Sequence, residues 1–193
     1  MKHDIDLFME RHFMGMYLKP PLFYRWPYGI RFEIAKPWAD HGETDNLRQM
    51  KERSLAIFDR VFSAADNMLI AADVTFGQKK RMNLFKKCMK QKAILKRLQH
   101  RGDSRFYLRC TKGDIRFGKL LSVICAKDFS NPGYDFDIYF LNASRKMVFH
   151  LYDDRGCDVI AAQKEDLEPL YRRLNEWILD DDRDRIDRLF ANK

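Results

Sequence analysis

Two aspartates and an arginine stand together in the tract Tyr152-Asp153-Asp154-Arg155-Gly156. Carboxylates placed that way could meet a metal ion or a cationic partner if a turn brought them to one point. The same tract also suits a plain hairpin connection, in which the aspartates accept from nearby backbone amides and Gly156 takes a positive φ to restart the strand. No third acid stands at a spacing that completes a metal site, so no metal is expected. A second group is cationic: Lys86, Lys87, Lys90, Arg97 and Arg101, within the segment 79–101. On a helix, at about 100° per residue, Lys86, Lys90 and Arg97 cluster on one side with Lys87 and Arg101 flanking them. Such a face could track phosphates or dock on an acidic protein surface, and in the bland case it only faces water. The third group is the aromatic tract Phe23-Tyr24-Arg25-Trp26-Pro27-Tyr28. Trp26 could anchor a partner or stack on a base, but burying large apolar rings is worth roughly 1.5–3 kcal/mol each, which favours a lid folded onto the core.

The remaining reactive residue types do not converge. The four cysteines, Cys88, Cys110, Cys125 and Cys157, lie far apart with no close pair and no nearby histidine at ligand spacing, so reduced buried thiols are expected. Glu33 and Lys36 fall on opposite faces of a strand. His150 stands mid-strand and reads as a packed, hydrogen-bonded imidazole. Nothing assembles a nucleophile, a base and an orienting group, so neither catalytic residues nor a cofactor are expected.

The elements that must hold these residues follow from periodicity. Apolar residues at 5, 8, 9 and 13 mark a short amphipathic helix, and prolines 20, 21 and 27 impose a loop. Ile30, Phe32 and Ile34 alternate as a strand. Leu47 to Val61 recur at helical spacing behind a cap at Thr44 or Asp45. Met68 to Val74 suits a buried strand, and the basic segment is expected to run as a helix to a stop at Gly102. From Ser104 the pattern turns to β: Arg105 to Thr111, Lys119 to Ala126, Phe136 to Phe140, Met147 to Leu151 and Val159 to Ala161. Turn-like connections between them predict an antiparallel meander. Two helices close the chain, the first starting near Pro169 and the second carrying Ile186, Leu189 and Phe190. The expected fold is a single α+β domain over residues 1–193, with a mostly antiparallel sheet and helices packed against it.

Composition agrees. The 193 residues are 46 % hydrophobic and include 15 Phe and 8 Tyr, an aromatic load that excludes a disordered chain. The longest apolar run, Leu120 to Ala126, is far short of the roughly 20 residues a bilayer needs. Asp4, Asp6 and Glu10 stand where a secretory signal would want positive charge, so a cytoplasmic protein without a membrane role is expected. The formal charge is +8, yet ten of the 36 Lys and Arg lie between Lys79 and Arg101, a window with no acid. Outside it 26 basic residues face 28 acidic ones, so the positive charge belongs to one segment of an otherwise near-neutral body.

One resemblance stands beside this reading. The tract from Val148 through Tyr152-Asp153-Asp154-Arg155-Gly156-Cys157-Asp158 to Ala161, followed by Leu170-Tyr171 and Asn175-Glu176-Trp177-Ile178, resembles a bacterial domain-of-unknown-function family common in Gram-positive genomes. The early aromatic-proline tract and Arg31-Phe32-Glu33 resemble it too. The resemblance implies no established activity and no catalytic residue. Small α+β proteins of this kind resemble immunity proteins, which neutralise a toxin by binding it. The expectation is therefore a non-enzymatic binding protein, immunity-like, that recognises another protein through Lys86, Lys87, Lys90, Arg97, Arg101, Trp26, Asp153, Asp154 and Arg155. Nucleic acid or a phosphate ligand on the basic helix is the alternative.

Overall fold

The computed structural model describes residues 3–35, 44–74, 86–91, 99–101, 105–126, 136–153 and 155–191. Its centre is a seven-stranded sheet built from β1 (Gly29–Glu33), β2 (Asn67–Val74), β3 (Gln99–Arg101), β4 (Arg105–Thr111), β5 (Phe136–Asn142), β6 (Met147–Leu151) and β7 (Gly156–Ala161). The spatial order is β1-β7-β6-β5-β2-β4-β3, and every neighbouring pair is antiparallel. The fold is therefore α+β.

Alternation along the strands divides the core into two layers. Met68, Ile70, Phe140, Phe149 and Val159 pack on one face under α2 (Thr44–Val61) and α3 (Phe117–Cys125). Leu69, Ala71, Leu141, Val148 and Ile160 point to the other face, which α1 (Asp4–Phe13) covers with Ile5, Phe8, Met9 and Phe13. With both faces covered, the central strands read as near-continuous apolar runs. The carboxyl-terminal helices α4 (Glu168–Arg173) and α5 (Arg183–Ala191) add Leu170 and Ile186 to the larger layer, and Pro169 sits in the first turn of α4, where no amide is lost. The open edge of β1 is closed by residues 178–179: Phe32 bridges to Ile178, and the Leu179 amide donates to the Arg31 carbonyl at 3.0 Å. Covering an edge this way blocks strand addition there.

Three expectations change. Lys119 to Ala126 is not a strand but most of α3, with Phe117, Leu120, Leu121, Ile124 and Cys125 buried at helical spacing. A short apolar run has no period that separates strand from helix, and here the ring of Phe117 against Phe58, 4.5 Å between centroids, selects the helix. The meander holds only for β5, β6 and β7, because β4 lies on the far side of β2. The basic segment is not one helix ending at Gly102: residues 86–88 make a helical turn, Met89 bridges to Ile115, and Gln99–Arg101 forms β3 on the edge of β4. Residues 92–98, Arg97 among them, fall outside the described residues. No helix among the described residues is long and apolar enough to cross a membrane.

Candidate functional site

The cationic residues that the structure does describe form a corner rather than a stripe. Cys88 and Met89 are buried plugs, and around them the chain is stitched to the loop between β4 and α3. The Lys90 amide donates to the Asp114 carbonyl at 2.9 Å, and the Arg116 amide donates to the Cys88 carbonyl at 2.8 Å. The Arg116 guanidinium donates to the carbonyls of Met89 at 2.7 Å and Lys87 at 3.3 Å. Lys86, Lys87 and Lys90 are thereby held at the surface, exposed, with the exposed Arg116 and Lys119 beside the same turn. None of these five has an ion-pair partner among the described residues. The Asp114 carboxylate accepts instead from the Thr111 amide and hydroxyl at 2.8 and 3.1 Å. Burial raises the Cys88 thiol pKa, with Lys119 and Arg116 pulling the other way, so this sulfur is a packing group.

Arg101 does not join the corner. It pairs in register with Arg105 at the start of β4, whereas Lys90 is tied beyond the end of that strand, about 20 Å away at 3.3–3.4 Å per residue. The reason is the β3–β4 ladder, which takes residues 99–101 out of any helix.

The other expected residues are held by the fold itself. Trp26 is half-buried, its Nε1 donates to the Ala161 carbonyl at 2.7 Å, and its ring lies 5.0 Å from that of Phe13. It belongs to a lid. Asp153 is 5 % exposed and accepts from the Arg155 amide at 2.8 Å and from its guanidinium at 2.6 and 3.0 Å, so Arg155 neutralises Asp153. Asp154 lies outside the described residues. Gly156 does not take a positive φ; it is glycine because a Cβ there would run into the Phe32 carbonyl and stand 2.6 Å from the Tyr152 hydroxyl.

The turn borders a site that sequence reasoning missed. Strands β1, β2 and β6 finish, and β4, β5 and β7 begin, at one end of the sheet. On the α1 face of that end, register lines up Arg105, Asp73 and Asp137 across β4, β2 and β5. One step inward it lines up Tyr139, His150, Asp158 and Arg31 across β5, β6, β7 and β1. Arg31 grips Asp158 through two nitrogens at 2.8 and 3.2 Å and reaches Asp182 at 3.5 Å. The Tyr24 hydroxyl donates to the same Asp182 at 2.8 Å, and the Phe23 amide donates to Asp158 at 3.1 Å. Burial disfavours the charge on Arg31, but Asp158 outweighs it and holds the guanidinium pKa above its ordinary value. Arg105 pairs with Asp73 through two nitrogens, donates to the Leu18 carbonyl at 3.0 Å and lies under the Tyr17 ring at 4.5 Å.

Between the two arginines, His150 Nε2 stands 3.2 Å from Asp137, and its imidazole stacks on Tyr139 at 4.4 Å between centroids. Two buried polar atoms in this strip have no hydrogen-bond partner among the described residues: Tyr139 Oη and His150 Nδ1. The available sequence signal was a polar residue at the inward position near the end of each apolar strand. Their convergence needed the strand order. Among the described residues no group of three or more His, Cys, Asp or Glu comes together to hold a metal ion.

A family model described as a domain of unknown function (DUF3885) matches residues 5–182. The chain is 25 % identical over 203 residues to the uncharacterized protein YnaE of Bacillus subtilis, an alignment covering 89 % of this chain and 95 % of that one. No solved structure gives a significant match.

Proposed function

The chain belongs to the DUF3885 family, and from that premise we propose that it is a binding protein that recognises the acidic face of another protein through the corner made by Lys86, Lys87 and Lys90. The observation that carries this reading is the pinning of that turn: its backbone is fixed by four hydrogen bonds to the β4–α3 loop while its charges stay exposed, with no ion-pair partner among the described residues. Cations held in place lose less freedom on docking than lysines on a free loop, and a local excess of one sign steers encounter. Arg116 and Lys119 extend the same surface. Among the described residues the cations form a local cluster, which suits a patch of carboxylates on a partner. In the immunity-like form of this reading, the partner is a toxin whose acidic face the corner covers.

The test is affinity capture from the native host with the wild-type protein and a Lys86→Glu, Lys87→Glu, Lys90→Glu variant. A protein held by the wild type, released by the variant and bound again after purification supports the reading. A random nucleic-acid duplex distinguishes the alternative: retention on it at low salt that collapses in the variant would replace the protein partner with nucleic acid.

A further inference from the structure

The cationic corner has an acidic counterpart at the diagonally opposite end of the sheet. There β1 finishes at Glu33, and residues 175–183 wrap past its edge. Arg183 fastens that wrap. It donates to the Asn175 side chain and carbonyl at 3.1 and 3.0 Å and to the Ile178 carbonyl at 3.2 Å, and it pairs with Asp180 at 3.1 Å. Asp182 turns inward to Tyr24 and Arg31. Its neighbours Asp180 and Asp181 are exposed, the Asp180 side chain by 92 %, and Glu176 is exposed on the same wrap. Glu33 feels them. Burial raises its carboxyl pKa, Arg53 opposes the shift, and Asp180 and Asp181 add to it. Glu33, Glu176, Asp180 and Asp181 thus stand against Arg53 and Arg183, which leaves negative charge in excess among the described residues there.

The two surfaces cannot neutralise each other within one molecule. Five strand spacings of about 4.8 Å separate β1 from β4, and the corner lies past the far end of β4. That separation exceeds the Debye length, about 8 Å at physiological ionic strength. We propose that the corner of one copy docks on the acidic surface of a second copy, head to tail, with Lys86, Lys87 and Lys90 meeting Glu176, Asp180 and Asp181. The contact deepens the reading above, since it rests on the corner taking carboxylates, and it adds a regulation: a copy seated on the corner competes with any other partner for it. A second copy is the acidic partner that the molecule itself supplies, at its own concentration. Outside the basic segment 26 basic residues face 28 acidic ones, so the bodies of two copies do not repel. Both surfaces are already fastened to the fold, so docking orders little that is still free. Different patches meet in this contact, so each pair keeps one corner and one acidic surface open, and association continues past the dimer unless a ring closes. Exposed ion pairs contribute little each, which makes the assembly weak and sensitive to salt.

The experiment is sedimentation velocity on the full chain, up to about 0.5 mM, at low and high salt, about 50 and 500 mM. The wild type should gain average mass with concentration at low salt and return to the monomer at high salt. The variant Lys86→Glu, Lys87→Glu, Lys90→Glu and the variant Glu176→Lys, Asp180→Lys, Asp181→Lys should each stay monomeric, because each has lost one sign. Mixed in equal amounts they should associate again, since each supplies the sign the other lacks, and that recovery also shows both to be folded. If a reversed variant does not fold, Asp180→Asn with Asp181→Asn serves instead and should weaken association about tenfold or more. Arg172→Gln, exposed on α4, should behave as the wild type. A wild type that stays monomeric at low salt, association that high salt leaves intact, a reversed variant that assembles alone, or a mixture that remains monomeric would overturn the proposal. Capture of a host protein by a chain that never self-associates would sink this contact alone. Self-association without any captured host protein would sink only the reading of a different partner.

Discussion

The cationic corner and the polar strip both concentrate charge, but they hold it in opposite ways. At the corner the backbone is fixed and the charges are free: Lys86, Lys87 and Lys90 project into water with no carboxylate partner among the described residues. In the strip the charges themselves are the fixtures, with Arg31 clamped to a fully buried Asp158 and Arg105 to Asp73. Exposed charge contributes little to stability and much to encounter, whereas buried charge becomes dangerous once its partner is removed. A perturbation at the strip should therefore be read by folding, and a perturbation at the corner by binding.

The largest effect belongs to Arg31→Ala, which strands Asp158 at 0 % side-chain exposure and also loosens Asp182. We expect a loss of about 3–5 kcal/mol by urea denaturation; a loss under about 1 kcal/mol would erase the contrast between the two regions. Alkaline pH gives the next. Burial, reinforced by Asp137 at Tyr139 and by Asp158 at Tyr152, raises both phenols above the ordinary tyrosine value. The folded state then keeps protons that the unfolded chain releases near pH 10. The stability these two groups confer is complete below that pH and is lost as pH rises through their folded values, by up to about 1.4 kcal/mol per pH unit for each. Ultraviolet titration should show delayed phenol ionisation, and Tyr139→Phe should remove part of the slope.

Near neutral pH that same substitution should hold or raise stability, by up to about 1 kcal/mol, because it deletes a buried hydroxyl that lacks a partner. A clear drop in melting temperature would mean that the hydroxyl is satisfied in solution. The smallest effect is expected at the corner, where Lys86→Glu, Lys87→Glu and Lys90→Glu together should shift stability by no more than about 0.5 kcal/mol per site. Unfolding of that variant would show that the lysines hold the turn rather than decorate it.

Much of the fold was legible in the sequence because its elements carry strong periods. The helix from Thr44 and the strands of residues 29–33, 67–74 and 136–161 follow from spacing. What escaped was set by tertiary contact. Lys119 to Cys125 is apolar enough for either state and became helical against Phe58. Residues 99–101 lost their helical expectation to a ladder with β4. The strip was hidden for a related reason: Asp73, Arg105, Asp137, His150, Asp158 and Arg31 are single polar residues in separate strands, and only the order β1-β7-β6-β5-β2-β4 makes them neighbours.

The placement of β1 carries a consequence for how the chain matures during synthesis. Its ladder partner is β7, so Gly29 meets Ile160 across more than a hundred intervening residues. The aromatic loop ahead of it is fastened by still later groups, Tyr24 to Asp182 at 2.8 Å and the Phe23 carbonyl to Arg185 at 3.3 Å. A growing polypeptide thus carries an early hydrophobic segment that stays undocked until translation has passed residue 185 and the ribosome has cleared it. Contacts this distant in sequence form slowly. Ribosome pausing before that point should lengthen the exposure of Phe23 and Trp26 to chaperones and proteases.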